Sequence, residues 1–375
     1  MKYYVIAGEA SGDLHASNLI RELKKLDQNS EFRVWGGDKM EAQGALVVKH
    51  YRDLAFMGFT EVLQNLRTIL NNISFCKKDV QEYKPDALIL VDYPGFNLRI
   101  AEFAKKQNIP VLYYISPQIW AWKQSRVHKI KRDVDRMFTI LPFEKEFYAR
   151  FGCDVDFVGH PLLDVISEGS ARTIKTSQIL KNDKSAVIAL LPGSRKQEIR
   201  AMLPSMLQVA TEFPRFRFVL AAAPSIEPAF YDEICKGRNV EIHYGKTYEL
   251  LSESYAALVT SGTATLETAL FGVPQVVCYK GGSISYAIAR SLVKVKYISL
   301  VNLIMDREVV KELIQNEFNV SSLKSELERI LNPMIREKMS SDYEQLRKKL
   351  GGSGASARAA KLMMDTLGRI RNHHS

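Results

Sequence analysis

The chain has 375 residues, of which 46% are hydrophobic and 25% are charged, and its formal net charge is +10. This length predicts two domains, and the composition is that of a globular protein rather than a disordered or fibrous one. The four cysteines form no CxxC pair, which excludes a cysteine zinc site and a disulfide framework and favours a reducing cytoplasm. We expect no signal peptide and no membrane span, since no uncharged apolar run is long enough.

The first element is a short apolar strand at residues 3–7, which leads into a glycine-rich loop and then a helix. The loop carries Glu9, Ser11 and Asp13 among small residues that permit the close approach of a ligand. We therefore predict substrate-binding side chains here. An ordinary turn with a capping aspartate is the competing interpretation.

Residues 54–75 repeat apolar side chains at helical spacing and carry only Glu61 and Arg67 as charges. A surface helix usually carries more charge, so the segment is either buried on two sides or inserted into a membrane interface. The net positive charge favours an anionic membrane surface, and both interpretations stay open. The candidate membrane-contact residues are Phe56, Met57, Phe59, Val62, Leu63 and Leu66.

A buried strand at residues 86–91 ends in Asp92. Parallel α/β folds place their chemistry at the carboxyl ends of strands, so Asp92 is a candidate catalytic residue; a helix-capping aspartate is the alternative. Basic residues follow two tryptophans at residues 120–132, and this pattern suits an anionic head group. Nucleic acid is a less favoured partner, because the sequence contains no recognisable nucleic-acid-binding module.

The polar segment 167–184 marks a domain boundary, and a second series of strands and helices follows. A strand at residues 186–191 ends at a glycine turn that carries Ser194 and Arg195, where a guanidinium is suited to neutralise a phosphate. A later strand, residues 256–259, ends in a hydroxyl-rich turn before a helix. Such a helix start binds anions through its free N–H groups and its dipole, although an ordinary capped helix has the same pattern. The candidate residues of this turn are Ser261, Gly262, Thr263 and Thr265, with Glu267 one turn later as a ribose acceptor.

Both halves alternate strands and helices, so the predicted fold class is α/β, with two doubly wound Rossmann-like domains facing across a cleft. We expect an N-terminal, membrane-facing domain at residues 1–165 and a nucleotide-sugar-binding domain at 166–345. Residues 346–375 form a last helix that we expect to pack back on the N-terminal domain.

With these motifs in order, the chain resembles the lipid-A-disaccharide synthases, which have the GT-B glycosyltransferase fold. The motifs that carry the resemblance are GEASGD (8–13), LAFMGF (54–59), DYPGFN (92–97), SPQIWAW (116–122), LPFEK (141–145), VGH (158–160), LLPGSR (190–195) and SGTATLE (261–267). One departure is Gly95, where the family pattern has an acidic residue.

The resemblance implies an inverting transfer of 2,3-diacylglucosamine from UDP-2,3-diacylglucosamine to the 6-hydroxyl of 2,3-diacylglucosamine 1-phosphate (lipid X). Asp92 would be the base, Arg195 and the turn at residues 261–265 would stabilise the departing UDP, and Glu267 would hold the ribose. Glu9 and Asp13 would line the acceptor side. The implied location is cytoplasmic and peripheral, on the inner face of the inner membrane.

We expect no metal and no cofactor. The sequence contains Asp-x-Asp at residues 133–135 and 154–156, but neither pair follows a nucleotide-binding turn, and chance explains both better. A helix N-terminus with an arginine can replace the metal.

Three alternatives stay open at this point. They are another GT-B transferase that acts on a peptidoglycan precursor, a UDP-N-acetylglucosamine 2-epimerase, and a non-catalytic UDP-sugar or lipid-binding protein. The apolar segment 54–75 and the tryptophans Trp120 and Trp122 argue against the epimerase, because a soluble sugar nucleotide needs no membrane helix. Acyl-chain length, oligomeric state and the order of substrate binding do not follow from the sequence.

Overall fold

The structure is a computed structural model that describes residues 1–54, 66–169, 186–238, 240–282 and 296–374. The chain divides into two compact units. The first comprises Met1–Asp164 together with Leu350–Ser375, and the second comprises Val165–Lys349. Among the helices of these described ranges, none combines the length and apolar character needed to cross a bilayer.

The first unit is a seven-stranded parallel sheet with helices in the connections, in the strand order β3-β2-β1-β4-β5-β6-β7. Its strands are β1 (Lys2–Ala7), β2 (Glu31–Gly36), β3 (Leu46–His50), β4 (Ala87–Val91), β5 (Val111–Tyr114), β6 (Arg136–Thr139) and β7 (Asp156–Phe157). Its helices are α1 (Ala10–Leu26), α2 (Asp38–Glu41), α3 (Leu66–Tyr83), α4 (Pro94–Lys106), α5 (Ile119–Trp122), α6 (Val127–Asp133), α7 (Glu144–Ala149) and α8 (Leu162–Gly169), within which the unit boundary falls.

The second unit is a six-stranded parallel sheet in the order β10-β9-β8-β11-β12-β13. Its strands are β8 (Val187–Leu191), β9 (Arg217–Ala222), β10 (Glu241–Tyr244), β11 (Ser254–Thr260), β12 (Gln275–Tyr279) and β13 (Lys311–Ile314). Its helices are α9 (Lys196–Ala210), α10 (Pro228–Cys235), α11 (Thr247–Glu253), α12 (Thr263–Leu270), α13 (Leu300–Met305), α14 (Val320–Leu331) and α15 (Pro333–Lys349). Every residue of β8 and β11 is buried, as expected for central parallel strands.

The last helix, α16 (Ala355–His374), belongs to the first unit and packs against α1. Asp164 caps its N-terminus, because the carboxylate accepts hydrogen bonds from the backbone N–H groups of Gly354, Ala355 and Ser356. These three charge-assisted bonds join the start of α16 to Asp164, the last residue of the first segment of this unit.

The central strands were predictable from their apolar runs, but two edge strands were not. β3 and β13 lie at the outer edges of their sheets and are only partly buried. An edge strand needs no continuous apolar run, so the sequence of each resembles a loop. Of the apolar segment 54–75, residues 66–75 lie in α3, and residues 55–65 lie outside the described ranges.

Candidate active site

Each sheet contains one point at which the strand order reverses. In the first unit this point lies between β1 and β4, which pair in parallel with Ala7 opposite Val91. In the second unit it lies between β8 and β11, with Leu191 opposite Val259. In doubly wound sheets, ligands bind just beyond the carboxyl ends of the two strands at such a point. The loops that begin at Gly8, Asp92, Pro192 and Ser261 therefore lie where each fold offers a binding crevice.

Asp92 lies on a sharp turn between β4 and α4. Both Asp92 and Tyr93 have left-handed backbone conformations, with φ of 45° and 48°. The carbonyl of Asp92 accepts hydrogen bonds from Asn97 Nδ2, at 2.7 Å, and from the Tyr113 hydroxyl. Left-handed conformations are uncommon outside glycine and persist where the surrounding structure enforces them. The two bonds supply that restraint and hold the Asp92 backbone at the strand end, where the residue as a whole remains exposed.

The environment of Asp92 suits a general base. The residue keeps a solvent-exposed face, whereas neighbouring protein atoms desolvate its carboxyl group. This desolvation, followed by the negative charge of Glu9, raises the pKa of Asp92 to about 7, and the Tyr93 backbone N–H opposes the shift. A base works best when its pKa lies near the working pH, because it is then both available and basic.

Glu9 and Ser11 are exposed at the start of α1, beside the Asp92 turn. The intervening Gly8 packs directly beneath the Tyr93 ring: a Cβ at Gly8 would lie 2.4 Å from the Tyr93 Cγ atom. A larger residue at position 8 would displace Tyr93 and with it the Asp92 turn. Because Glu9 and Ser11 are exposed beside Asp92, both remain candidates for acceptor contact.

Asp13 differs from its prediction. It is buried, and its carboxylate accepts hydrogen bonds from the backbone N–H groups of Gly37, Lys39 and Met40 at 2.8–3.2 Å. A carboxylate with three backbone donors caps α2 and is not exposed to a ligand. The structure thus supports the capping interpretation, and we remove Asp13 from the candidate substrate contacts.

In the second unit, Ser194 and Arg195 lie on the turn between β8 and α9. Both are exposed. The Glu198 side chain folds back over this turn: its Oε2 accepts the Ser194 backbone N–H at 3.1 Å, and its Oε1 accepts from Arg195 Nη1 at 3.0 Å. Gly193 has a φ of 111°, and a Cβ there would lie 2.6 Å from Glu198 Oε2. A carboxylate therefore rests against this glycine turn.

The turn between β11 and α12 exposes Gly262 and Thr263 at the helix start. The hydroxyls of its other members are used within the protein. Ser261 Oγ donates to the Ile298 carbonyl at 2.9 Å, and Thr265 Oγ1 donates to the Gly262 carbonyl at 2.8 Å. Thr265 is also fully buried, so it shapes the turn instead of presenting a donor to a ligand, which departs from its prediction.

Glu267 lies one turn into α12 and is half-buried. Its Oε1 accepts a hydrogen bond of 2.9 Å from the Tyr248 hydroxyl. The Tyr248 ring contacts Phe271. Desolvation raises the pKa of Glu267, and the Tyr248 bond opposes the shift. Tyr248 therefore fixes the orientation of the predicted ribose acceptor.

Both Asp-x-Asp pairs are occupied by cationic partners. Arg136 pairs with Asp156 at 2.5 Å and with Asp154 at 3.0 Å. Asp133 pairs with Arg132, and Asp135 pairs with Lys105. In the described ranges, no group of three or more His, Cys, Asp or Glu residues is arranged to hold a metal ion.

The candidate membrane residues Phe56, Met57, Phe59, Val62 and Leu63 lie outside the described residues. Leu66 begins α3, but its side chain also lies outside what the structure describes. Further along α3, Leu70 and Phe75 expose 55% and 48% of their surfaces. A groove of about 330 Å³ runs between α3 and α4 and is lined by Leu70, Ile73, Lys77, Arg99, Glu102, Phe103 and Lys106.

The sequence relatives decide the family. The family model described as lipid-A-disaccharide synthetase matches residues 3–365. The lipid-A-disaccharide synthase of Syntrophus aciditrophicus is 42% identical over 368 residues, with 96% of each chain covered. That of Myxococcus xanthus is 39% identical, with 98% of each chain covered.

The chain belongs to the lipid-A-disaccharide synthetase family. It is therefore a glycosyltransferase of lipid A biosynthesis, and the resemblance stated from its motifs is confirmed.

Solved structures confirm the fold class. The UDP-GlcNAc 2-epimerase of Neisseria meningitidis, bound to UDP-GlcNAc, is similar with a TM-score of 0.66 at 17% identity, covering 98% of this chain and 100% of that one. A glycosyltransferase of kitacinnamycin gives a TM-score of 0.65 at 14% identity, covering 98% and 99%. At such low identity these likenesses show the fold alone, so they do not revive the epimerase interpretation for this synthetase-family chain.

Three residues at the site were not assigned roles from the sequence. Glu198 stands three residues after Arg195, the spacing of an ion pair along one helical turn, and this signal was available. Asn97 lies in the DYPGFN motif, but its bond to the Asp92 carbonyl depends on a turn that no local rule specifies. Tyr248 is distant in sequence from Glu267, so only the folded sheet brings the two together.

Proposed function

We propose that the protein transfers 2,3-diacylglucosamine from UDP-2,3-diacylglucosamine to the 6-hydroxyl of 2,3-diacylglucosamine 1-phosphate, with inversion. The products are the β-1,6-linked disaccharide 1-phosphate and UDP. The observation that carries the residue assignment is the Asp92 carboxyl at the carboxyl end of β4, beside Glu9, with its pKa raised to about 7 by desolvation. Inversion by single displacement needs one such base and no covalent enzyme intermediate.

In this proposal Asp92 accepts the proton of the acceptor 6-hydroxyl while that oxygen attacks the anomeric carbon. The bond between the anomeric carbon and the UDP oxygen breaks, and the diphosphate leaves with the electron pair. Arg195 and the exposed start of α12 would stabilise this charge, because preorganised donors act most strongly where charge develops. Glu267, oriented by Tyr248, would accept the ribose hydroxyls.

The direct test combines the protein with UDP-2,3-diacylglucosamine and 2,3-diacylglucosamine 1-phosphate and follows the products by mass spectrometry. We expect equal amounts of the disaccharide 1-phosphate and UDP. Release of UDP without disaccharide would overturn the acceptor assignment. Conversion of UDP-N-acetylglucosamine to its 2-epimer would favour the isomerase reaction instead.

We further propose that the protein binds peripherally to an anionic membrane surface on the cytoplasmic side of the inner membrane. The groove between α3 and α4 supports this proposal, because its lining includes three cations and one carboxylate around an apolar floor. Exposed Leu70 and Phe75 on α3 add apolar area that a bilayer can cover. Lys and Arg near an anionic surface strengthen such binding.

Leu70→Ser should weaken binding to phosphatidylglycerol-containing vesicles by about fivefold, since it removes an exposed apolar side chain worth on the order of 1 kcal/mol when it enters lipid. Co-sedimentation measures the change. Met334→Ser is the matched control, because Met334 is 79% exposed but belongs to the second unit. Equal vesicle binding by the wild type and Leu70→Ser would contradict the α3 assignment.

A further inference from the structure

A carboxylate of the protein itself is bound at the turn of residues 193–195. The Glu198 carboxylate lies on the Gly193 backbone and accepts from the Ser194 N–H and from the Arg195 guanidinium. These are a backbone N–H on a glycine turn and one guanidinium nitrogen, donors of the kind that bind phosphate groups in proteins. The carboxylate thus occupies the position that this turn would offer to a phosphate.

The first turn of α9 also carries a second ion pair. Glu227, a second carboxylate near the same helix start, pairs with Lys196 Nζ at 2.9 Å. The two carboxylates are therefore divided: Glu227 neutralises a lysine, whereas Glu198 covers the exposed donors of the turn. Glu198 is only half-buried, so its side chain has solvent on one side into which it can move.

We propose that Glu198 is a positioning residue of the donor subsite, whose carboxylate covers the diphosphate-binding donors of Ser194 and Arg195 until a nucleoside diphosphate displaces it. This inference rests on the proposed function, in which the donor carries UDP. Displacement exchanges one anion for another, so the Ser194 N–H and the Arg195 guanidinium have an anionic partner both with and without the nucleoside diphosphate. The competition lowers the affinity for the product UDP and so favours its release.

The test is the affinity for UDP measured by calorimetry on the full chain. Glu198→Gln keeps an acceptor for the Ser194 N–H but removes the competing charge, so we expect UDP to bind about 5- to 30-fold more tightly. Uridine, which has no phosphate, should bind wild type and variant equally. Inhibition by UDP during turnover should strengthen by the same factor.

Glu227→Gln is the matched control, because it removes one negative charge near the same helix start without uncovering Ser194 or Arg195. It should change UDP affinity by less than about twofold, since an exposed charge is screened by solvent and salt. Glu198→Asp keeps the charge but shortens the side chain, and we expect an intermediate gain. This second variant keeps the test decisive if Glu198→Gln folds poorly, which circular dichroism would reveal.

The outcomes separate the inference from the proposed function. Wild type that binds UDP, together with Glu198→Gln or Glu198→Asp that binds it no more tightly, would overturn the inference alone. Equal tightening in Glu227→Gln would also overturn it, because a general loss of negative charge would then explain the effect. Wild type that fails to bind UDP would overturn the donor assignment and the inference with it.

Discussion

Asp92→Asn should lower kcat by about 10³-fold while the affinity for UDP stays within about twofold of the wild type. General-base catalysis contributes roughly 10²- to 10⁴-fold, and asparagine cannot accept the proton of the acceptor hydroxyl. Asparagine is also the substitution that preserves the turn. It tolerates a positive φ, and the bonds from Asn97 and Tyr113 go to the backbone carbonyl of residue 92, which the substitution leaves intact.

The measurement is turnover at saturating substrates, with UDP affinity determined separately by calorimetry. Asp154→Asn is the matched control: Asp154 is an aspartate of the same unit, its side chain is 75% exposed, and it pairs with Arg136. That control should retain turnover within about twofold, since exposed ion pairs contribute little. Near-normal turnover in Asp92→Asn would remove Asp92 from the chemistry.

Arg195→Ala should lower kcat by about 10²-fold, because the diphosphate would leave without its guanidinium partner. Loss of one preorganised donor at a developing charge lowers rates by about 10²- to 10³-fold. The Ser194 N–H and the start of α12 remain, so the loss should fall short of complete. Arg195→Lys should recover only part of the rate, since an ammonium lacks the planar array of donors that a guanidinium offers to a diphosphate.

Arg200→Ala provides the control for Arg195. Arg200 is an exposed arginine on the same helix, and its guanidinium stacks over the Phe230 ring at 4.9 Å. We expect its loss to leave kcat within about twofold. Equal losses in both variants would indicate a general effect on α9 instead of a specific contact with the leaving group.

The positions of Asp92, Arg195 and Glu9 were predictable because they follow buried strands. An apolar run such as residues 86–91 identifies a central strand, and the α/β order then assigns its carboxyl end to the binding crevice. The fold class, the family and the enzyme class were also predictable, since each depends on motifs that are local in sequence. The family match and the solved structures confirm them.

The roles of individual polar residues were less predictable, because they depend on distant neighbours. Asp13 caps α2 through Gly37, which is 24 residues away, and no local pattern distinguishes this cap from a substrate contact. Thr265 follows the motif of an anion-binding turn, yet its hydroxyl closes that turn internally. Only the folded structure shows which polar groups already have hydrogen-bond partners within the protein and which can face a ligand.

The central claim is that Asp92, with its pKa raised by desolvation and by Glu9, is the catalytic base. The most direct test is the pH dependence of kcat/KM for the wild type and for Glu9→Gln with the same substrates. Because a base works only when deprotonated, we predict that wild-type activity falls as the pH drops through about 7. In Glu9→Gln the negative neighbour is absent, so the pKa of Asp92 falls and this limb moves to lower pH. Ionisation of the substrates is common to both proteins and cannot produce the difference. An acid limb at the same pH in both proteins would contradict the account.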